Sequence, residues 1–599
     1  MLAASTNGFA VDEATPVAYT VDLSEAAQHL VSIEATFWVR GRQSIELFMP
    51  VWTPGSYLIR EYSRHIESIA VVSEGGEREG AIGRLAKVRK NAWRIDLAYP
   101  ADGVTVRYSL YCRERSVRTN WADGEYVFLA GAATFLTAKD FLAKPHRVAV
   151  EGVPEGHEIA CPLLPPPSSA RSGNAFIAAD FDGLVDSPIL VGELCCDGFE
   201  VGGCGHRLIS TVDGELWDHP RAAADAARIV ESVQAFWGEV PYERYEFLNL
   251  IVGGYGGLEH DHCCVLVADR WQMREREAYL KWLGLVCHEF FHTWNVRRLR
   301  PERLSSYDYE AEQIFDELWV AEGVTSYFDD LLMHRCGLCD EVEYLKLLSG
   351  TIAGVMNMPG RLMQSLADSS RDTWIKLYRP DENSSNSRMS YYTKGGLVAW
   401  LLDLRLRELT DHAATLDEVM RTLWRRCRRT GYTAEQFESI VEELAPGVDW
   451  PAWFDAYVRG TEDLELDAAL RSAGLRWKAA VEAAGPTAGA FDFETRTAEG
   501  RLVVAKIVRG GAAWRGGLQV DDELIAIDEF RVTPSNWSEV LKRCPPSSSV
   551  RVEAFRRDRR ITREVTLSAA AKTWQLEVDP EASELAAEFR RRWLGGRAS

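Results

Sequence analysis

The sequence predicts a multidomain α+β protein, and three observations carry that expectation. The chain has 599 residues, enough at roughly 100–200 residues per domain for several domains. Short stretches of two-residue apolar alternation fill residues 15–190 and return beyond 500, while apolar spacing of helical period dominates 205–480. With 46% hydrophobic and 26% charged residues, the composition is globular and excludes a largely disordered chain.

The N-terminal stretch alternates through 32–39 and 92–97, with turn residues between such segments. Many short strands of this kind predict a β-sandwich. Residues 162–169 are Pro-rich and read as a loop, since proline cannot donate to a ladder. Residues 217–237 are Ala-rich and helical, 245–252 form a strand, and Gly253-Gly254-Tyr255-Gly256-Gly257 follows. Long helices are expected over 274–296 and 310–334, and a further buried helix from Gly395. Gly, Ala and Thr accumulate over 485–500, which reads as a linker. Strands are expected at 502–508, 523–528 and 550–555. The expected division is 1–200 all-β, 201–340 an α/β core, 341–483 helical, 484–575 β, and 576–599 a charged helix or tail.

Lys and Arg total 68 against 89 Asp and Glu, a net charge of −21. Such a chain repels phosphate backbones, so nucleic acid is not an expected partner. No apolar run approaches the ~20 residues of a membrane helix, and no membrane partner is expected. The start of the chain lacks Lys and Arg and carries Asp12 and Glu13, unlike a secretory leader. The 12 cysteines are scattered, which is not a disulfide scaffold. The expectation is a reduced, cytoplasmic protein.

The sharpest signal is His288-Glu289-Phe290-Phe291-His292. Histidines four apart on a helix stand one turn from each other on one face, so both imidazoles can bind one ion. Glu289 lies about 100° round the helix and can reach a water that the ion activates. Leu280, Leu283, Val286, Phe290 and Phe291 make this a buried helix, not a surface helix with ordinary histidines. Catalytic zinc takes three protein ligands and keeps a fourth position open. Glu322, inside Leu318-Trp319-Val320-Ala321-Glu322-Gly323-Val324, is the third candidate. An unpaired charge in that apolar stretch is costly, and a cation offsets the cost. The alternative is a wet-side Glu, or a buried ion pair with Arg297 or Arg298. Asp316 and Glu317 compete, but near a helix start the macrodipole already explains acids. One Zn2+ per chain is the expected cofactor.

His288-Glu289-Phe290-Phe291-His292-Thr293-Trp294-Asn295, with Glu322 placed 30 residues after His292, resembles the gluzincin metallopeptidases. More closely it resembles the glycyl aminopeptidase family, relatives of aminopeptidase N. Gly256-Gly257-Leu258-Glu259-His260, Tyr392-Thr393-Lys394-Gly395 and Met49-Pro50-Val51-Trp52-Thr53-Pro54-Gly55-Ser56-Tyr57 match stretches of that family. The C-terminal region, through Gly510-Gly511-Ala512-Ala513, Gly516-Gly517-Leu518 and Asp521-Asp522-Glu523-Leu524-Ile525, resembles a PDZ domain. The resemblance implies a thermolysin-like α/β zinc peptidase core over 201–340, a helical domain completing the active site, and a PDZ-like domain able to contact peptides or proteins. It implies that Glu289 is the general base and Tyr392 the oxyanion donor. Glu259 would bind the free α-ammonium of a peptide substrate, beside Gly256 and Gly257, which admit substrate backbone. On the residues alone, Glu259 reads equally as a solvated loop acid, and Tyr391 competes with Tyr392. The function so implied is zinc-dependent hydrolysis of the N-terminal peptide bond, with Gly or Ala favoured in first place. The alternatives are a zinc endopeptidase on the same core, or a catalytically degenerate peptide-binding protein.

His260, His262, Cys263 and Cys264 could form a second metal site, but their spacing fits no standard zinc pattern. Cys336-Gly337-Leu338-Cys339 lacks a second pair and reads as free thiols. The Arg runs at 425–429, 556–560 and 590–592 read as solvated faces.

Overall fold

The computed structural model describes residues 16–72, 83–166, 174–211, 214–478, 491–569 and 574–595. Two compact units emerge: Met1–Gln313 with Cys427–Gly431, and Ile314–Arg426 with Tyr432–Ser599.

The first unit opens with a β-rich region. Its largest sheet runs, in spatial order, Ala175–Ala178, His146–Glu151, Val17–Asp22, Leu30–Phe37, Val104–Tyr111 and Ile66–Val72. Every second residue of Val17–Asp22 and Leu30–Phe37 is buried, as period-two patterning requires. A five-stranded sheet follows: Leu194–Val201 (β1), Cys204–Thr211 (β2), Arg244–Ile251 (β3), Gly256–Glu259 (β4) and Cys263–Ala268 (β5). Its spatial order is β1-β2-β3-β5-β4. β3 runs parallel to β2 and β5, and β4 is an antiparallel edge strand with Glu259 opposite Cys264. β3 and β5 are almost wholly buried, which explains their near-continuous apolar sequence. Leu248, Leu250, Leu258 and Val265 join the core of the β-rich region. On the other face Tyr245 and Phe247 meet Phe290 edge to face or tilted, at centroid distances of 5.0 and 5.6 Å. Phe290 belongs to Arg276–Phe291 (α2), which packs beside His219–Trp237 (α1). The aromatic seam thus fixes α2 against the sheet.

α2 stops at Phe291, short of the expected 296. The His292 ring donates to the Asn295 carbonyl and the chain leaves the regular helix through irregular turns, with both Val296 and Arg297 N–H on His292 O. The helix expected over 310–334 also starts late. Residues 306–313 bond locally instead: Asp308 caps Glu310 N–H, and Gln313 bonds back to Asp308, Ser306 and Arg303. Such side chains compete with helix.

In the second unit a π-helical turn, Trp319–Gly323, leads into Val324–Arg335 (α3). Thr393–Thr410 (α4) packs on it. A C-terminal sheet runs Phe493–Ala498, Arg501–Ile507, Glu523–Ile527, Ser549–Arg556, Arg559–Thr566, with Phe530–Arg531 beside its third strand. Its core includes Val504, Leu524, Ile527, Val552 and Val565. The expected linker at 485–500 is thus a strand from Phe493; Glu499 (φ 50°) and Gly500 (φ 76°) make the two-residue hairpin turn. Residues 485–490 of that linker, and 167–169 of the Pro-rich loop, lie outside the described residues. The terminal helix Glu584–Gly595 buries Trp593, whose indole N–H donates to Tyr327 Oη at 2.9 Å. Two Arg residues correct the solvated-face reading. Arg556 grips the fully buried Asp522 carboxylate, and Arg590 bonds Glu341 and the carbonyls of Ala473 and Gly474. Among the described residues no helix is long and apolar enough to cross a membrane.

Burial pushes the imidazoles of His146 and His206 down to about 4. A base held neutral in the fold but free to charge when unfolded stabilises the protein fully above its unfolded value of ~6.5. That contribution is lost as pH falls from ~6.5 to about 4, on the order of 3 kcal/mol for each histidine. Unfolding midpoints measured across this window are expected to drop steeply, and less so in His206→Asn.

Candidate active site

α2 delivers His288, Glu289 and His292. The Nε2 atoms of the two histidines lie 3.0 Å apart, with ring planes at 89°. Two nitrogens on one tetrahedral zinc stand about 3.4 Å apart, so the pair is pre-set for a shared ion. His292 Nδ1 is 2.6 Å from the Asn295 carbonyl. A carbonyl only accepts, so Nδ1 carries the proton and Nε2 presents its lone pair.

β4 carries Gly256, Gly257 and Glu259 along the sheet edge. The Glu259 and Glu289 carboxylates and the His292 imidazole lie within 4.8 Å of one another, all buried. Among the described residues Glu259 Oε1 is buried with no hydrogen-bond partner. Carboxylates this close repel unless a cation or proton joins them, so the cluster suits a positive guest. Two glycines shape it. A Cβ on Gly257 would stand 2.0 Å from Glu289 Oε1, and one on Gly55 2.5 Å from Glu259 Oε1. Gly55, at φ +80°, packs directly on the Glu259 carboxylate. At Gly256 an added Cβ would meet nothing within 4 Å, so the two β4 glycines differ in role. Gly257→Ala is expected to displace the Glu289 carboxylate while leaving the fold intact. A shift of an ångström there costs about 10²-fold in kcat. Circular dichroism and metal content unchanged beside that kinetic loss would check it.

Behind β4, Asp186 accepts from His260 Nδ1 at 2.9 Å and from Asp261 N–H at 2.7 Å, and pairs with Arg297 at 2.7 Å. Arg297 also meets Asp261 at 2.8 Å, and Arg298 donates to the Thr293 and Asp261 carbonyls. Burial raises the Asp261 carboxyl, but the guanidinium groups of Arg297, Arg298 and Arg300 outweigh it and hold it well below the usual range. His260 is therefore a hydrogen-bonded support behind the strand, and Cys263 and Cys264 are buried strand residues. Among the described residues His260, His262, Cys263 and Cys264 form no metal cluster, and all 12 cysteines are free thiols.

In the second unit Glu322 sits in the π-helical turn, 2% exposed. Such turns recur at functional sites because they re-aim a side chain. Gly323 lies against Gly395 main chain to main chain: a Cβ on Gly323 would be 2.6 Å from Gly395 Cα. This contact brings Glu322 beside Tyr392. Burial first, and Glu322 next, push the Tyr392 hydroxyl well above its usual range, so it stays a proton donor. Tyr391 is wholly buried with its hydroxyl on Thr373, whereas Tyr392 is part-exposed, its hydroxyl 3.2 Å from that of Tyr378. That difference favours Tyr392 over its neighbour.

Three residues near these groups escaped the sequence reading: Gly55, Asp186 and Lys394. Lys394 is 1% exposed, its Nζ has no hydrogen-bond partner among the described residues, and burial pushes it down to about 8. Only Gly55 and Lys394 had a cue, each within a recognised stretch.

The M61 glycyl aminopeptidase family description matches residues 281–398, and that of the peptidase M61 N-terminal domain matches 18–193. An aminopeptidase N family protein from Idiomarina loihiensis superposes with a TM-score of 0.88 at 31% identity, covering 96% of this chain and 100% of its own. An M1 zinc metallopeptidase from Deinococcus radiodurans reaches a TM-score of 0.47 at 15% identity, covering 76% of this chain and 95% of its own. No curated protein sequence matches the chain significantly. The chain is a peptide-bond hydrolase of the metallo-aminopeptidase class. It belongs to the M61 glycyl aminopeptidase family.

Proposed function

We propose that the protein is a zinc aminopeptidase releasing small first residues, Gly or Ala, from peptides. The observation that carries the exopeptidase reading is Glu259: a buried carboxylate oxygen with no hydrogen-bond partner among the described residues, beside Glu289 and His292. A substrate's α-ammonium would give that oxygen a charge-assisted hydrogen bond, which an acylated or internal residue lacks. His288 and His292, joined by Glu322, would hold one zinc ion: two imidazoles and a carboxylate are a catalytic zinc donor set. Zinc in such a set lowers the pKa of water to about 7 and polarises a carbonyl.

Glu289 then takes the proton of the attacking water and returns it to the departing amine. Tyr392, kept protonated, donates to the oxygen that gains charge. Gly257 leaves Glu289 room, and Gly55 holds Glu259 in place. The same reading assigns 1–200 as a β-sandwich domain, 201–340 as the thermolysin-like core, 341–483 as the helical domain and 484–575 as PDZ-like. The last would offer a peptide a second contact through its sheet edge.

The test is a panel of aminoacyl fluorogenic substrates with and without chelator. Cleavage of Gly and Ala substrates, abolished by chelator and restored by Zn2+, is expected. Glu259→Ala is expected to slow free-amine peptides by about 10²-fold or more while barely changing any cleavage of N-acetylated ones. Equal loss on both would remove the anchor role, and internal cleavage of acetylated peptides would favour an endopeptidase.

A further inference from the structure

We infer that Cys195 and Asp197 of β1 and His219 of α1 form a second metal site, for a soft divalent cation of the zinc class. None of the three belongs to the groups assigned to peptide cleavage. Residues two apart on a strand share a face, so Cys195 and Asp197 project together. Among the described residues β1 is an edge strand paired only with β2, and α1 packs across it. His219 opens α1 between the Asp218 N-cap and Pro220, and is 6% exposed. One donor atom from each of the three residues lies within 4.8 Å of the other two.

The chemistry of the set points to zinc rather than to a hard cation. A thiol, an imidazole and a carboxylate match zinc, whereas calcium and magnesium take oxygen donors. His219 Nδ1 lies 2.6 Å from Asp197 Oδ2, and its Nε2 is buried with no hydrogen-bond partner among the described residues. To share an ion, Nδ1 and Oδ2 part to about 3.4 Å, and the Asp197 side chain, 42% exposed, has room to move. The Cys195 thiol is exposed and free of any disulfide. A bound ion takes the Cys195 sulfur as thiolate, and the thiol proton leaves to solvent. The ion would tie an edge strand to the helix laid across it.

The test uses full-length protein stripped of metal and titrated with Co2+ alone. Thiolate ligation gives Co2+ a near-ultraviolet charge-transfer band. The set assigned to peptide cleavage contains no cysteine, so the band reports only on this one. The wild type is expected to develop the band at one equivalent per chain beyond the cleavage site. Cys195→Ser is expected to lose the band and keep full peptidase activity, and Cys196→Ser to keep both. His219→Gln is expected to lose it too, with circular dichroism checking its fold. No thiolate band in the wild type, or a full band in Cys195→Ser, overturns the assignment.

Discussion

Glu289→Gln is expected to keep its metal at wild-type stoichiometry while kcat falls by about 10²–10⁴-fold, the range for losing a general base. The substitution keeps the volume of the side chain, so the space above Gly257 is filled as before. What it removes is the capacity to accept a proton. Glu289 is 5% exposed and lies with Glu259 and His292. Metal analysis beside initial rates checks the pair of outcomes. Full turnover in this variant would show that another group takes the proton.

His292→Ala is expected to carry the second large effect, loss of most bound metal together with at least about 10³-fold in activity. An ion acting on a carbonyl supplies several kcal/mol of transition-state stabilisation, which sets that scale. The ring is 1% exposed and anchored through Nδ1 to the Asn295 carbonyl, so its Nε2 direction is fixed before any ion arrives. His292→Gln, closer in size, separates ligand loss from a packing defect. Stoichiometric metal in both variants would remove His292 from the donor set.

Much of this architecture was legible in the residues. Period-two patterns found the N-terminal strands, and the His-x-x-x-His spacing marked α2 because a helix face repeats every turn. The glycines at 256–257 and the carboxylate at 259 came from a resemblance, and the structure gives only Gly257 a steric reason. Helix ends were harder to read. Residues 306–313 carry charges that suit helix, yet their side chains bond their own backbone. Gly55 lay in a recognised stretch, but its contact was not readable from it. It meets Glu259 across more than two hundred residues of chain, and no local spacing encodes that encounter. Asp186 was invisible for the same reason: its partners His260, Asp261 and Arg297 come from distant segments.

The abutment of Gly323 on Gly395 has a bearing on how this protein can drift over time. The segments that carry a carboxylate and a phenol meet here main chain to main chain. Neighbouring core residues can therefore exchange size for size, weakening or firming the unit, without altering that contact. Variation at these two sites is closed, and variation around them is open.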